Sequence, residues 1–199
     1  MNLPNKLTIL RIILIPVFMA LFFIKALPYN FLFACIIFCL AAITDFLDGY
    51  IARKQNLVTN LGKFLDPIAD KILVAAALII MLVPVGDFAI LPWYASIAVA
   101  IILARELMVS GFRIVAASKG MVLAADKSGK IKTFLQDIAI IVLLVGASFD
   151  AGAYSVTNII GLCLLGVATI LTIISGIEYL VKNKSVLKDE ETKEEQVKE

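Results

Sequence analysis

The chain is 199 residues long, 61% hydrophobic and 17% charged, with a formal net charge of +2 and a mean hydropathy of +0.99. Such a composition excludes an ordinary water-soluble globular domain, and so small a net charge does not suggest nucleic acid as a partner. Its basic residues gather in patches between long uncharged runs, the pattern of a chain that crosses lipid repeatedly.

A polar start, residues 1–6, leads into a first expected span of about Leu7–Lys25, which holds Arg11 and Pro16. Arg11 lies one turn inside and further spans follow, so this segment is not read as a cleaved signal. Pro28 marks a turn. The second span, about Tyr29–Lys54, ends in DFLDGYIAR (45–53). A short polar connection, 55–60, precedes a third span of about Leu61–Val83, which opens on GKFLDPIAD (62–70). Pro84–Asp87 reads as a turn. The fourth span, about Ile90–Lys119, is longer than a bilayer needs. Its last third holds Arg105, Glu106 and Arg113 and is expected to project into the cytoplasm. A basic loop, Gly120–Lys130, leads to a fifth span of about Ile131–Ser148. A turn with Asp150 and Gly152 leads to a sixth, about Tyr154–Val181. Residues 183–199 are nearly all charged or polar and read as a solvated tail.

Basic residues crowd alternate connections, while the others carry little beyond Lys25, Asp87 and Asp150. That alternation follows the positive-inside rule. The expected fold is an all-α integral membrane bundle of about six transmembrane helices, with both termini cytoplasmic. A single domain covers 1–182, and the cytoplasmic tail is 183–199. Cys35, Cys39 and Cys163 fall in apolar runs and read as small core residues. Gly161, Gly166 and Gly176 would allow close helix packing, and the pattern is compatible with a homodimer whose interface the sequence does not locate.

The chemistry is concentrated in four aspartates at the borders of apolar runs. On a helix, Asp45, Asp48, Gly49 and Ala52 share a face, and Gly62, Asp66 and Asp70 share another. Gly and Ala leave room for a ligand or a second helix to approach. The short connection makes the two helices antiparallel neighbours, so the four carboxylates are expected to converge just inside one membrane surface. Charged groups within lipid are costly, roughly 2.5–3.5 kcal/mol each at mid-membrane, and usually mark function. Divalent cations shared among hard oxygens would keep all four ionised. Two such ions form a clamp suited to phosphoryl chemistry. With no histidine in the chain, Mg2+ or Mn2+ fits better than zinc.

The pattern D-x-x-D-G-x-x-A-R, eight residues, then G-x-x-x-D-x-x-x-D resembles the signature of the CDP-alcohol phosphatidyltransferases. The opening Asn5–Arg11, the stretch Ala104–Glu106 with Arg113, and Lys127–Thr133 are similar to the members that use glycerol 3-phosphate. The resemblance implies that CDP-diacylglycerol binds with its diphosphate on two divalent cations and its acyl chains among the membrane lipids. It implies Asp45, Asp48, Asp66 and Asp70 as metal ligands, with Asp70 also the base for the acceptor hydroxyl. It assigns Gly49, Ala52, Arg53 and Gly62 to the nucleotide and its phosphates, and Asn5, Thr8 and Arg11 to the site. The expected place is the cell membrane, with the active site facing the cytoplasm.

Charge bears on the acceptor. Arg105, Arg113, Lys127, Lys130 and Lys132 would suit a phosphate-bearing alcohol better than serine. For Lys119, Lys127 and Lys132 a purely topogenic or headgroup role is the other reading, Lys130 has either, and function is favoured for Arg105 and Arg113 because they lie within an otherwise apolar helix. Arg11 has two readings also, snorkelling to the headgroups or lining the site, and the resemblance favours the second. Glu106 is expected to pair with Arg105 or another base, and Asp137 to hydrogen-bond across helices. The same chemistry on inositol phosphate, serine or phosphatidylglycerol is the near alternative. A divalent-cation transporter is the rival from another class; it would ordinarily hold its acids near the midplane, on repeated halves, and no repeat is visible.

Overall fold

The computed structural model describes residues 2–54, 60–86, 88–119, 121, 127–149 and 155–184, apart from the side chains of residues 46, 49, 50, 52–54, 60–64, 66, 67, 127, 128 and 130. These residues form six helices: α1 (Leu3–Phe23), α2 (Asn30–Lys54), α3 (Asn60–Met81), α4 (Ala95–Ser118), α5 (Lys127–Phe149) and α6 (Val156–Lys182). Four of them contain stretches long and apolar enough to cross a membrane: Leu3–Phe23, Ala95–Ser118, Ile131–Phe149 and Val156–Lys182. At 1.5 Å per residue these stretches run about 28–40 Å, against a hydrocarbon layer of about 30 Å. Among the described side chains of α2 the apolar stretch counted is Asn30–Asp45, and α3 begins among the charges of GKFLDPIADK.

Local chemistry accounts for the ends. Pro4 occupies the first turn of α1, where its missing N–H costs no bond, so the helix starts four residues earlier than its apolar run. Ser155 caps α6, its Oγ accepting from the Asn158 N–H at 3.1 Å. Pro92 delays α4 to Ala95. The expected turn after α3 forms, with Gly86 at φ +77° and the Val85 N–H donating to the Phe88 carbonyl at 2.9 Å. Residues 127–130, expected in a loop, begin α5 instead. Gly129 there stands in the first helical turn, where its propensity cost is slight.

Contacting pairs give the directions. Phe22 meets Phe31 at 5.0 Å and Phe18 meets Phe38 at 5.9 Å, and Arg11 reaches Asp48, so α1 and α2 run antiparallel. Gly146 faces Thr157 and Gly161 faces Leu143, which makes α5 and α6 an antiparallel pair. Arg105 meets Ser175 and Phe112 meets Tyr179, so α4 and α6 run the same way. The most extensive contacts are α1 with α2 and α5 with α6; α1 also lies along α3, while α3 touches α2 and α4 only slightly. The core holds Phe18, Phe22, Phe38, Leu78, Met81 and Leu143. Large apolar side chains such as Leu107, Ile114 and Ile170 are exposed on the outside, as lipid rather than water would require. Interior hydroxyls bond to their own helix: Thr169 donates to Leu165 O and Thr172 to Ala168 O, both at 2.7 Å.

Three expectations need adjustment. Cys35 is buried, Cys39 half-buried, but Cys163 is exposed, so it is not a core residue. Gly161 and Gly176 do accept a close neighbour, whereas nothing stands within 4 Å of where a Cβ on Gly166 would lie. Asp137 Oδ1 is buried without a hydrogen-bond partner among the described residues, so the cross-helix bond expected of it is not made through that oxygen. The expected turn residues Asp87, Asp150 and Gly152, and all but the first two residues of the 183–199 tail, lie outside the described residues.

A Cβ on Gly161 would come within 2.6 Å of Leu143 Cγ. Gly161→Ala is therefore expected to overpack the α5–α6 contact and cost about 1–3 kcal/mol. Thermal melting in detergent measures this, and the same change made on a Leu143→Ala chain should be close to neutral.

Candidate active site

Among the described residues, the polar groups that the sequence singles out lie at one end of the bundle, most of them on its inward face. On α1 the buried positions are Pro4, Asn5, Thr8, Arg11, Ile15, Phe18 and Phe22, spaced three or four apart from Asn5 onward. The first half of that stripe is polar and the second half apolar, so one helix contributes to the site and to the core. Thr8 Oγ1 donates to the Pro4 carbonyl at 3.2 Å. Arg11 is fully buried; it does not snorkel. Its Nη1 lies 2.7 Å from Asp45 Oδ1 and its Nη2 lies 2.5 Å from Asp48 Oδ2. Asp48 is buried with it, whereas the Asp45 side chain is 42% exposed. A planar fork with fixed donors suits two carboxylates one helical turn apart.

Asp70, on α3, lies within electrostatic reach of Asp45 and Arg11, and Asp137, on α5, within reach of Asp70 and Asp45. Among the described residues this half of the site sets one cation, Arg11, against four carboxylates. The next residue along α3 starts the opposite half. The Lys71 ammonium donates to Ser110 Oγ on α4 and lies within reach of Arg105 and Arg113. Lys132, on α5, is buried and pairs with Glu106. Arg105 Nη1 lies 3.2 Å from Glu106 Oε1, and its Nη2 donates to Ser175 Oγ on α6 at 3.1 Å. Gly176 makes room for the Arg105 stem, since a Cβ there would stand 3.1 Å from Arg105 Cγ. Arg113 is exposed, its guanidinium carbon 5.8 Å from the centre of the Tyr179 ring. Among the described residues this half thus holds four cations and one carboxylate, Glu106, which pairs with two of them. The site is bipolar, and Asp70 and Lys71 mark the seam.

Beside that seam is a cavity of about 230 Å³ between α3, α4 and α5. Asp70, Lys71, Glu106, Thr133 and Gln136 form its polar lining; Ile72, Val74, Ala75, Ile102, Leu103 and Leu107 form the apolar remainder. It exists because α3 and α4 barely touch. A space with a charged end and a hydrocarbon wall suits an amphiphile.

Of the expected site residues, Asn5, Thr8, Arg11, Asp45, Asp48, Asp70, Arg105 and Arg113 therefore collect at this end. The side chains of Asp66, Gly49, Ala52, Arg53, Gly62 and Lys130 lie outside the described residues. Lys71 was not singled out by sequence, although a lysine next to an aspartate in an apolar helix is itself a signal. Lys132 stood as either functional or topogenic; its burial against Glu106 argues against a headgroup charge.

Among the described residues no group of three or more His, Cys, Asp or Glu side chains is arranged to hold a metal ion. Arg11 draws Asp45 and Asp48 to itself, and Asp66 is not among the described side chains. The donors nonetheless fit a hard dication in kind: all are carboxylates, the sequence has no histidine, and Asp137 Oδ1 is a buried oxygen in need of a partner nearby.

A helical bundle with apolar flanks and a bipolar charged site at one end defines a multi-pass membrane protein built to handle charged, partly apolar molecules. The family model for CDP-alcohol phosphatidyltransferase matches residues 1–176, and the chain belongs to that enzyme family. Enzymes of the family generally depend on divalent cations. The chain is 43% identical over 199 aligned positions to the CDP-diacylglycerol–glycerol-3-phosphate 3-phosphatidyltransferase of Bacillus subtilis (strain 168), covering 94% of this chain and 97% of the relative. It is 44% identical to a Rickettsia bellii (strain RML369-C) protein of the same name (89% of this chain, 93% of the relative). It is 35% identical to one from Shigella flexneri serotype 5b (strain 8401), covering 95% and 98%.

Removing the Arg11 guanidinium would leave Asp48 buried without its counter-charge. Arg11→Met is expected to destabilise the protein by about 3–5 kcal/mol, read as a lower melting temperature in detergent. Asp48→Asn added to that variant should recover part of the loss; an unshifted melting temperature in Arg11→Met would contradict the pairing.

Proposed function

We propose that this chain transfers the phosphatidyl group of CDP-diacylglycerol to glycerol 3-phosphate, giving phosphatidylglycerophosphate and CMP. The observation that carries the reading is the basic half of the site. Among the described residues, Lys71, Arg105, Arg113 and Lys132 stand with a single carboxylate, Glu106, directly beside Asp70. Inside a bundle such an excess of positive charge asks for a compact anion, and an acceptor carrying a phosphate supplies it. Serine would leave it unanswered. The full names of the relatives agree with this choice.

The proposed reaction is a direct displacement. An acceptor hydroxyl oxygen attacks the phosphorus that bears the diacylglycerol, and the bond from that phosphorus to the oxygen of CMP breaks. Asp70 takes the hydroxyl proton as the new bond forms. Arg105, Arg113 and Lys130 hold the acceptor phosphate, and Asn5, Thr8 and Arg11 line the same end. Gly49, Ala52, Arg53 and Gly62 receive the nucleotide and its phosphates. The cavity beside the seam has an apolar wall, which suits a substrate anchored by acyl chains. Asp45, Asp48, Asp66 and Asp70 would hold two divalent cations, Mg2+ or Mn2+, which when bound would offset the diphosphate's charge. Asp45 and Asp48 would then be shared between such ions and Arg11.

The proposal extends to placement. All six helices lie in the cell membrane as one domain, 1–182, with both termini, the tail 183–199 and the active site on the cytoplasmic side. The basic connections near the site favour that side. The deciding experiment is CMP release in detergent with Mg2+, CDP-diacylglycerol and a panel of acceptors. Turnover with glycerol 3-phosphate well above that with serine, inositol phosphate or phosphatidylglycerol is expected. Asp70→Asn should lower turnover by about 10²–10⁴-fold with an unchanged melting temperature; near-normal rates would exclude it as the base. Arg113→Ala should raise KM for glycerol 3-phosphate more than KM for CDP-diacylglycerol, and equal KM values for parent and variant would remove Arg113 from the acceptor site.

A further inference from the structure

Glu106 sits where an acid looks out of place, in the basic half of a site that receives an anion. Its contacts explain it. Oε1 takes the Lys132 ammonium from α5 and lies 3.2 Å from Arg105 Nη1 on its own helix. The other arm of the Arg105 fork is fixed by Ser175 on α6. The Glu106 carbonyl accepts the Ser110 hydroxyl at 2.6 Å, and Ser110 Oγ receives the Lys71 ammonium from α3. Its carboxylate therefore gathers cations from two helices, Arg105 of α4 and Lys132 of α5, which repel one another. Glu106 also lines the cavity that Asp70 and Lys71 border, so the cations it gathers stand beside the reacting end. A guanidinium recognises phosphate well only when its fork is already aimed, because orienting it during binding costs affinity.

We propose that Glu106 is a positioning residue for the acceptor phosphate, acting through Arg105 and Lys132. It aims both cations and cancels enough of their repulsion to keep them together, and the remaining positive excess captures the phosphate. The inference rests on the reading of the acceptor as a phosphate-bearing alcohol. It assigns Lys132 to the phosphate-binding set, and it gives Glu106 no contact with the reacting atoms.

The test varies each substrate in turn for the parent, Glu106→Gln and Glu106→Asp, in detergent with Mg2+. Glu106→Gln keeps the shape and removes the charge. It should raise KM for glycerol 3-phosphate at least about tenfold, while kcat falls less than about threefold and KM for CDP-diacylglycerol stays within about twofold. Inhibition by inorganic phosphate, competitive with the acceptor, should weaken in parallel, and Glu106→Asp should recover part of both losses. An unchanged acceptor KM in Glu106→Gln overturns the inference. So does a lowered melting temperature with kcat and both KM values altered together, which is what a purely structural role would produce. If Glu106→Gln does not fold, Glu106→Asp decides by the same split between the two KM values. If the parent releases no CMP with glycerol 3-phosphate, the acceptor reading has failed first. The measurement then moves to whichever acceptor is turned over: one bearing a phosphate should show the same split, and one without a phosphate removes the inference.

Discussion

Charge buried inside an apolar bundle has to be neutralised where it stands, and much of this structure follows from that constraint. Moving an ion out of water costs several kcal/mol even after the protein relaxes. The inward face of α1 meets the requirement with Arg11, which reaches two carboxylates of α2 through one fork. The same constraint shapes the outside. Because the polar groups turn inward at one end, the lipid-facing surface is left to leucine, isoleucine and valine.

Neutralisation is incomplete by design of the sequence, and the surplus has opposite signs on the two sides of α3. Among the described side chains, carboxylates dominate around Arg11 and cations dominate around Glu106. An enzyme that brings a lipid diphosphate and a phosphate-bearing alcohol together faces strong repulsion between its substrates. A bipolar site answers it: the acidic half suits cations that would neutralise the diphosphate, and the basic half suits the second anion. Adjacent residues, Asp70 and Lys71, carry the change of sign, so the proposed base stands where the two substrates would meet. The loose contact of α3 with α4 leaves the cavity at that seam.

The bundle itself was legible because periodic apolar runs and proline or glycine breaks act locally. The six helices lie close to the expected spans, and the differences are at the ends, where Pro4, Pro92 and the Lys127–Lys130 turn follow capping and propensity rather than hydropathy. The aspartate pairs were legible too, as charges in the wrong solvent. Arg11 was ambiguous, since a guanidinium one turn inside a span has reach enough either to return to the surface or to turn inward. Lys132 and Lys119 looked alike as basic residues at the borders of apolar runs, yet Lys132 is buried and Lys119 is exposed. Lys71 passed unnoticed because the acid before it explained the polarity of that stretch.

By itself, then, the order of residues determined which segments become helices, where their charged ends lie, and the acidic signature that marks the family. These depend on backbone spacing and on the cost of exposing each side chain to its own surroundings. Only the tertiary structure decided which acid each base answers: that Arg11 closes on Asp45 and Asp48, that Glu106 draws in both Arg105 and Lys132, and that Lys71 reaches across to Ser110. Pairings of this kind join residues up to 37 or 39 positions apart within one bundle end. They depend on how neighbouring helices are turned and how deeply each side chain is buried, and no local pattern encodes either.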